Sequence, residues 1–117
     1  RTPAVAFTYL QFGKYLVVGR YDCYPCHSAD FKTLNQAQPE LSGGFLGGGN
    51  KMVSLDGKER LTANITFDEE TGIGRWTLDD FRNAMINSKS KDGHALRYPM
   101  LTYNGMTEKE IKSIYAY

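Results

Sequence analysis

Residues 23–27 read Cys23-Tyr24-Pro25-Cys26-His27, two thiols three positions apart with an imidazole immediately after them. Paired cysteines at this spacing followed by histidine are the pattern of a c-type haem attachment site. Each thiol can add across one vinyl group of the porphyrin to leave a thioether bond. The histidine that follows then lies at the macrocycle face, where a ring nitrogen can reach the iron. On this reading Cys23 and Cys26 are the covalent tethers of one haem c, His27 is an iron ligand, and the remaining chain has to supply a pocket.

Other readings of the same five residues are weaker. A disulfide uses the two thiols but gives His27 no role. A zinc centre wants four nitrogen or sulfur ligands, and beyond Cys23, Cys26 and His27 only His94 remains, with no second cysteine pair anywhere. A thioredoxin-like redox pair sits between a strand and a helix, whereas the segment from Tyr9 to Tyr21 has helical spacing.

At 117 residues the chain is expected to form a single domain spanning 1–117, long enough to bury roughly two thirds of its unfolded surface but too short for two cores. With 41% hydrophobic and 13% aromatic residues it has a globular composition slightly rich in rings, which suits a chain that wraps a large apolar macrocycle. Its 14 basic and 13 acidic residues are spread along the sequence for a net charge of +1, so no basic block exists to bind nucleic acid or to act as a polybasic membrane arm. No apolar run approaches the length of a membrane span and no signal peptide precedes Arg1, so a soluble chain is expected. The final helix starts only at Thr107, and the chain is expected to belong to something longer.

Taken in order, Tyr9, Phe12, Tyr15, Leu16 and Gly19 predict a helix over Thr8–Arg20 leading into the cysteine motif. Gly13 costs about 1 kcal/mol in a helix interior, which is explained if another helix approaches closely there. Pro25 fixes its own φ and disfavours helix at Tyr24. The glycine-rich Leu41–Asn50 stretch is no phosphate loop, because Asn50 separates Gly49 from Lys51 and Met52 follows the lysine. It reads as a loop whose bare backbone can approach a flat ligand. Met52–Leu55 and Lys58–Leu61 flank Asp56-Gly57, which predicts a hairpin with a two-residue turn. Asn64-Ile65-Thr66 has the form of a glycosylation acceptor but reads more simply as a strand end or turn. Two further helices carry capping boxes with staples. One runs from Thr77 to about Asn87, with Asp80 at N3 and Trp76 facing Phe81. The other starts at Thr107, with Glu110 at N3 and Met106 facing Ile111. Packing of this last helix on the first would close the fold, with Gly13 expected at their crossing near Ile114 or Tyr115.

Several stretches carry a family likeness. They are Gly13-Lys14-Tyr15-Leu16-Val17, the Cys23–His27 motif, Asn64-Ile65-Thr66, Glu70-Thr71-Gly72-Ile73-Gly74-Arg75-Trp76, and Arg97-Tyr98-Pro99-Met100 through Gly105-Met106-Thr107 to Ile114-Tyr115-Ala116-Tyr117. On these the chain resembles the monohaem class I cytochrome c family, and within it the bacterial membrane-associated or dehydrogenase-linked members. The resemblance implies an all-α class I cytochrome c fold, with N- and C-terminal helices crossing around one covalently bound haem and, here, a small β-hairpin insertion. It implies His and Met as axial ligands and one-electron transfer with no turnover of an organic substrate. The expected partners are a dehydrogenase, a quinol-oxidising complex or a terminal oxidase. The expected location is the periplasm or the outer face of the cytoplasmic membrane, with an export signal or anchor removed or outside this sequence.

The metal ligands on this reading are His27 and Met100. Met100 lies in the irregular linker before the last helix, where the family places its ligand methionine. Met85 falls on the apolar stripe of the middle helix and Met52 opens the hairpin. Met106 has a staple role and is the runner-up, and His94 follows a polar turn. Ile65 and Trp76 are further candidates for cofactor contact. Trp76 would act through its indole N–H on a propionate, with the helix staple as the competing role. Two other functions compete with a carrier: a haem domain of a larger oxidase or dehydrogenase, and an enzyme or gas sensor with an open sixth position on iron.

Overall fold

The helical spacing ahead of the cysteines begins earlier than the sequence suggests and ends differently. In the computed structural model, which describes residues 3–53, 55–96 and 100–117, α1 runs Pro3–Tyr15 and continues as a π turn over Leu16–Arg20. The Tyr21 N–H closes that turn on the Leu16 carbonyl at 2.8 Å. The wider turn adds a residue to the register, and the adjacent Leu16 and Val17 are both buried.

Two later helices start where their caps dictate. In α3, Leu78–Asn87, the Thr77 hydroxyl accepts the Asp80 N–H at 3.1 Å and the Asp80 carboxylate accepts the Thr77 N–H at 2.8 Å. In α4, Glu108–Ala116, Thr107 and Glu110 make the same reciprocal pair at 3.2 and 2.9 Å. Each box satisfies two N–H groups that the helix itself cannot. α3 stops at Ser88, which turns into the left-handed region at φ 56°.

α1 and α4 meet backbone to backbone at Gly13. A Cβ there would lie 2.0 Å from the Ser113 carbonyl oxygen and 2.8 Å from the Tyr117 Cβ, so only glycine fits. The close approach expected of Gly13 near Ile114 or Tyr115 is present, with Ser113 and Tyr117, which flank those residues, nearest to it. Ile111 of α4 is wholly buried and Met106 lies buried just ahead of the cap. Phe81 of α3 packs on Tyr115 with ring centroids 5.8 Å apart. Arg82 of α3 bonds Asp79 on its own helix and Glu108 on α4. These elements, residues up to Tyr21 together with Trp76–Tyr117, form one compact unit.

Asp22–Arg75 form the second unit. It consists mostly of turns around a one-turn helix α2, Cys23–Cys26, a 3₁₀ turn Pro39–Leu41, and an antiparallel pair, β1 Lys51–Val53 and β2 Glu59–Leu61. Two local expectations are corrected here. Tyr24 is helical despite preceding Pro25, because the proline sits in the first turn, where its missing N–H has no intrahelical partner to lose. Val53 pairs with Glu59, so the connection holding Asp56-Gly57 is longer than a two-residue turn. Asn64 is a turn-former, its side-chain oxygen accepting the Thr66 N–H at 2.9 Å. Arg97, Tyr98 and Pro99, part of the stretch carrying the family likeness, lie outside the described residues. No described helix is long and apolar enough to cross a membrane.

Candidate haem-attachment site

Asp22, at φ 53°, turns the chain from the π turn into α2, a left-handed position that aspartate tolerates better than most residues. α2 then sets Cys23 and Cys26 one turn apart on the same side, and the His27 N–H closes on the Cys23 carbonyl at 3.1 Å. The thiols are not joined in a disulfide and are half-buried. Burial, with the nearby Asp22 carboxylate, pushes the Cys23 thiol up to about 12, and the same causes raise Cys26. Both are therefore protonated at neutral pH, the opposite of the low-pKa thiolate that drives a thioredoxin-like exchange.

His27 is the best-defined part of the site. Its Nδ1 lies 2.8 Å from the Ala63 carbonyl oxygen. A carbonyl only accepts, so Nδ1 carries the hydrogen and Nε2 keeps its lone pair for a metal. Burial lowers the His27 pKa, opposed by the Ala63 hydrogen bond, which favours the neutral ring that a metal requires.

The segment that carries the partner carbonyl lies directly against the glycine-rich loop. The Gly48 N–H donates to the His27 carbonyl at 2.7 Å and the Gly49 N–H to the Thr62 carbonyl at 2.9 Å. Gly48 has φ 73°, and a Cβ on it would fall 2.5 Å from the Ala63 carbonyl group and the Thr62 oxygen. The bare backbone here accommodates the chain's own 62–63 segment. Buried Asn50 donates to the Pro25 carbonyl at 3.3 Å, and the fully buried Ser28 hydroxyl accepts the Leu46 N–H at 3.3 Å. Tyr24 packs on Phe45 with ring centroids 6.1 Å apart.

Of the predicted site residues, Cys23, Cys26 and His27 share one turn. Ile65 lies in the same unit, its N–H donating to the Leu46 carbonyl at 2.9 Å. Trp76 and Met100 belong to the other unit. Trp76 is half-buried, its carbonyl accepts the Tyr115 hydroxyl, and it lines a hollow with Ser90, Lys91, Asp92 and His94. Met100 is half-buried. Ala63, Gly48, Asn50 and Ser28 support the site and were not singled out from the sequence. Only the run of glycines hinted at them, since a main-chain carbonyl such as that of Ala63 has no residue signature.

Among the described residues, no three His, Cys, Asp or Glu side chains are placed to hold a metal ion by themselves. Two protonated thiols beside an imidazole with one free nitrogen do suit an iron that arrives inside a porphyrin.

No family model matches the chain. It is 35% identical over 120 residues to the fructose dehydrogenase cytochrome subunit of Gluconobacter japonicus, covering 99% of this chain and 22% of that protein. It is 34% identical over 120 residues to the cytochrome c subunit of the alcohol dehydrogenase (quinone) of Gluconacetobacter polyoxogenes, covering 100% and 23%. It is 34% identical over 99 residues to the cytochrome c subunit of the gluconate 2-dehydrogenase of Pantoea cypripedii, covering 82% and 20%. The chain thus spans less than a quarter of the length of each of these relatives.

Proposed function

From its likeness to cytochrome c subunits of dehydrogenases, we propose that this chain is a one-electron-transfer module of a dehydrogenase complex, carrying one haem c tethered through Cys23 and Cys26. The observation that carries the proposal is the His27 ring, fixed on the turn of the two thiols with Nδ1 spent on Ala63 and Nε2 free. Held there, a haem would supply one-electron chemistry at its iron.

The chain's own groups then have distinct tasks. Cys23 and Cys26 make the link permanent, so the cofactor cannot exchange. The Ala63 carbonyl fixes the tautomer and orientation of His27 and raises the basicity of its ligating nitrogen. Met100 supplies the distal sulfur. Its claim rests on its place in the linker before α4, while Met106 is buried at the cap and Met85 and Met52 lie on α3 and β1. A thioether ligand together with His27 would raise the potential relative to two imidazoles. If His27 and Met100 both hold the iron, it would have no open position for a substrate, as suits a carrier. Ile65 and Trp76 remain proposed cofactor contacts.

We place the module in the class I cytochrome c fold, a reading supported by the α1–α4 crossing at Gly13. Its redox partners are a dehydrogenase, a quinol-oxidising complex or a terminal oxidase, in the periplasm or at the outer face of the cytoplasmic membrane.

Acid-acetone extraction of the denatured protein tests attachment: colour stays on the polypeptide, and a colourless chain refutes the covalent link. His27→Ala abolishes the low-spin six-coordinate spectrum. Met100→Ala removes the weak far-red sulfur-to-iron band of the oxidised protein and lowers the potential. If Met106→Ala does this and Met100→Ala does not, the distal assignment is wrong. Rapid carbon monoxide binding by the reduced protein at neutral pH would favour an open-site enzyme or sensor over a carrier.

A further inference from the structure

Glu110 is a buried carboxylate that electron transfer through Cys23, Cys26, His27 and Met100 leaves without a task. The residue is only 5% exposed, whereas Asp80, its counterpart in the α3 box, is half-buried. Capping uses Oε1, which accepts the Thr107 N–H at 2.9 Å. Oε2 accepts the Tyr21 hydroxyl at 3.0 Å and faces the Arg20 guanidinium at 3.4 Å.

The contact extends through the tyrosine. The Tyr21 ring stands edge-on to Tyr103 with centroids 5.3 Å apart and planes at 80°. The Tyr103 main chain is pinned on both sides: its N–H donates to the Met85 carbonyl at 2.8 Å, and its carbonyl accepts the Met106 N–H at 3.0 Å. One carboxylate therefore joins three things: the residues just ahead of Cys23, the cap of α4, and the 100–106 segment that holds Met100 and Met106. A capping box alone requires neither the tyrosine nor the burial.

We infer that Glu110, Tyr21 and Tyr103 form a clamp on the 100–106 segment and set how readily its methionine sulfur leaves the iron. They are positioning residues that touch neither cofactor nor substrate. The inference rests on the distal ligand being a methionine of this segment.

The test is imidazole titration of the ferric holoprotein, read by loss of the far-red sulfur-to-iron band, with thermal unfolding measured in parallel. Tyr21→Phe removes a single oxygen, which keeps the test available should Glu110→Gln fail to fold. Losing a hydrogen bond to a charged acceptor should tighten apparent imidazole binding about tenfold. Thr77→Ala, which weakens the α3 cap without removing any bond to Glu110, Tyr21 or Tyr103, should lower the unfolding temperature and leave imidazole binding unchanged. Imidazole binding that is unchanged in Tyr21→Phe, or that shifts equally in Tyr21→Phe and Thr77→Ala, overturns the clamp as a merely structural contact. If Met106→Ala rather than Met100→Ala abolishes the band, the ligand assignment moves and the clamp stands. If neither does, both fall.

Discussion

Gly48 and Gly57 share a backbone conformation, φ 73° and 80°, but differ in surroundings. A Cβ at Gly48 would meet the Thr62–Ala63 backbone at 2.5 Å, while nothing lies within 4 Å of one at Gly57. Either alanine substitution incurs the left-handed penalty of about 1–2 kcal/mol. Gly48→Ala should add an overpacking cost of about 1–3 kcal/mol, and it should also move the carbonyl that orients His27. Chemical denaturation of the holoprotein checks the difference, and equal losses at the two positions would show that the 62–63 segment yields freely. The comparison isolates contact from conformation, a distinction invisible in a row of glycines. The same holds for Asn50 and Ser28, ordinary polar residues whose roles come from the carbonyl or N–H that folding sets beside them.

Helix–helix contact can be tested just as directly. In an isolated helix Gly13→Ala would stabilise by about 1 kcal/mol. Here the added methyl would sit 2.0 Å from the Ser113 oxygen, so we expect a net loss of about 1–3 kcal/mol as α1 and α4 are forced apart. Unchanged or raised stability in urea would mean the crossing is loose. The two caps should also differ. The Thr107 box is half-buried and the Thr77 box exposed, so Thr107→Ala should fall toward the upper end and Thr77→Ala toward the lower end of the usual range of about 0.5–2 kcal/mol. The reverse order in denaturant midpoints would contradict the importance given to Glu110. Both caps and the need for a close approach at Gly13 were legible, because capping is a four-residue signal and a mid-helix glycine demands a reason. The π turn and the helical Tyr24 were not, since helical spacing does not separate α from π hydrogen bonding and the proline rule yields in a first turn.

The pH response of the whole protein follows from its carboxylates and from His27. Asp30 is held below the usual carboxylate range chiefly by the Thr33 N–H, Asp68 by the Thr71 hydroxyl, Glu108 by Arg82, and Glu110 by the Thr107 N–H. A folded-state pKa below the unfolded value means that the unfolded chain takes up protons first on acidification. The stabilisation is complete above the unfolded pKa and is lost as pH falls through the folded one. The carboxylates should therefore bring a decline below about pH 4, while His27, whose pKa burial lowers, should begin a smaller decline already below about pH 6.5. Unfolding curves across that range check it, with Glu110→Gln removing part of the decline. Stability that rises on acidification would contradict the sign.

The sequence by itself determined which side chains are able to tether a haem and ligate its iron, because thiol and imidazole reactivity belong to side chains and three-residue spacing survives in any helical turn. It also determined the helix starts, which depend on neighbours within four positions. Only the tertiary structure decided which carbonyl orients His27, where the glycine-rich loop lies, that Ser113 and Tyr117 are the neighbours of Gly13, and that Glu110 is buried against Tyr21. Each of these joins groups 36 to 104 positions apart, except the loop contacts, which span about 10 to 25. Hydrogen bonding and close packing there are set by three-dimensional proximity, to which hydrophobic period and local propensity are blind.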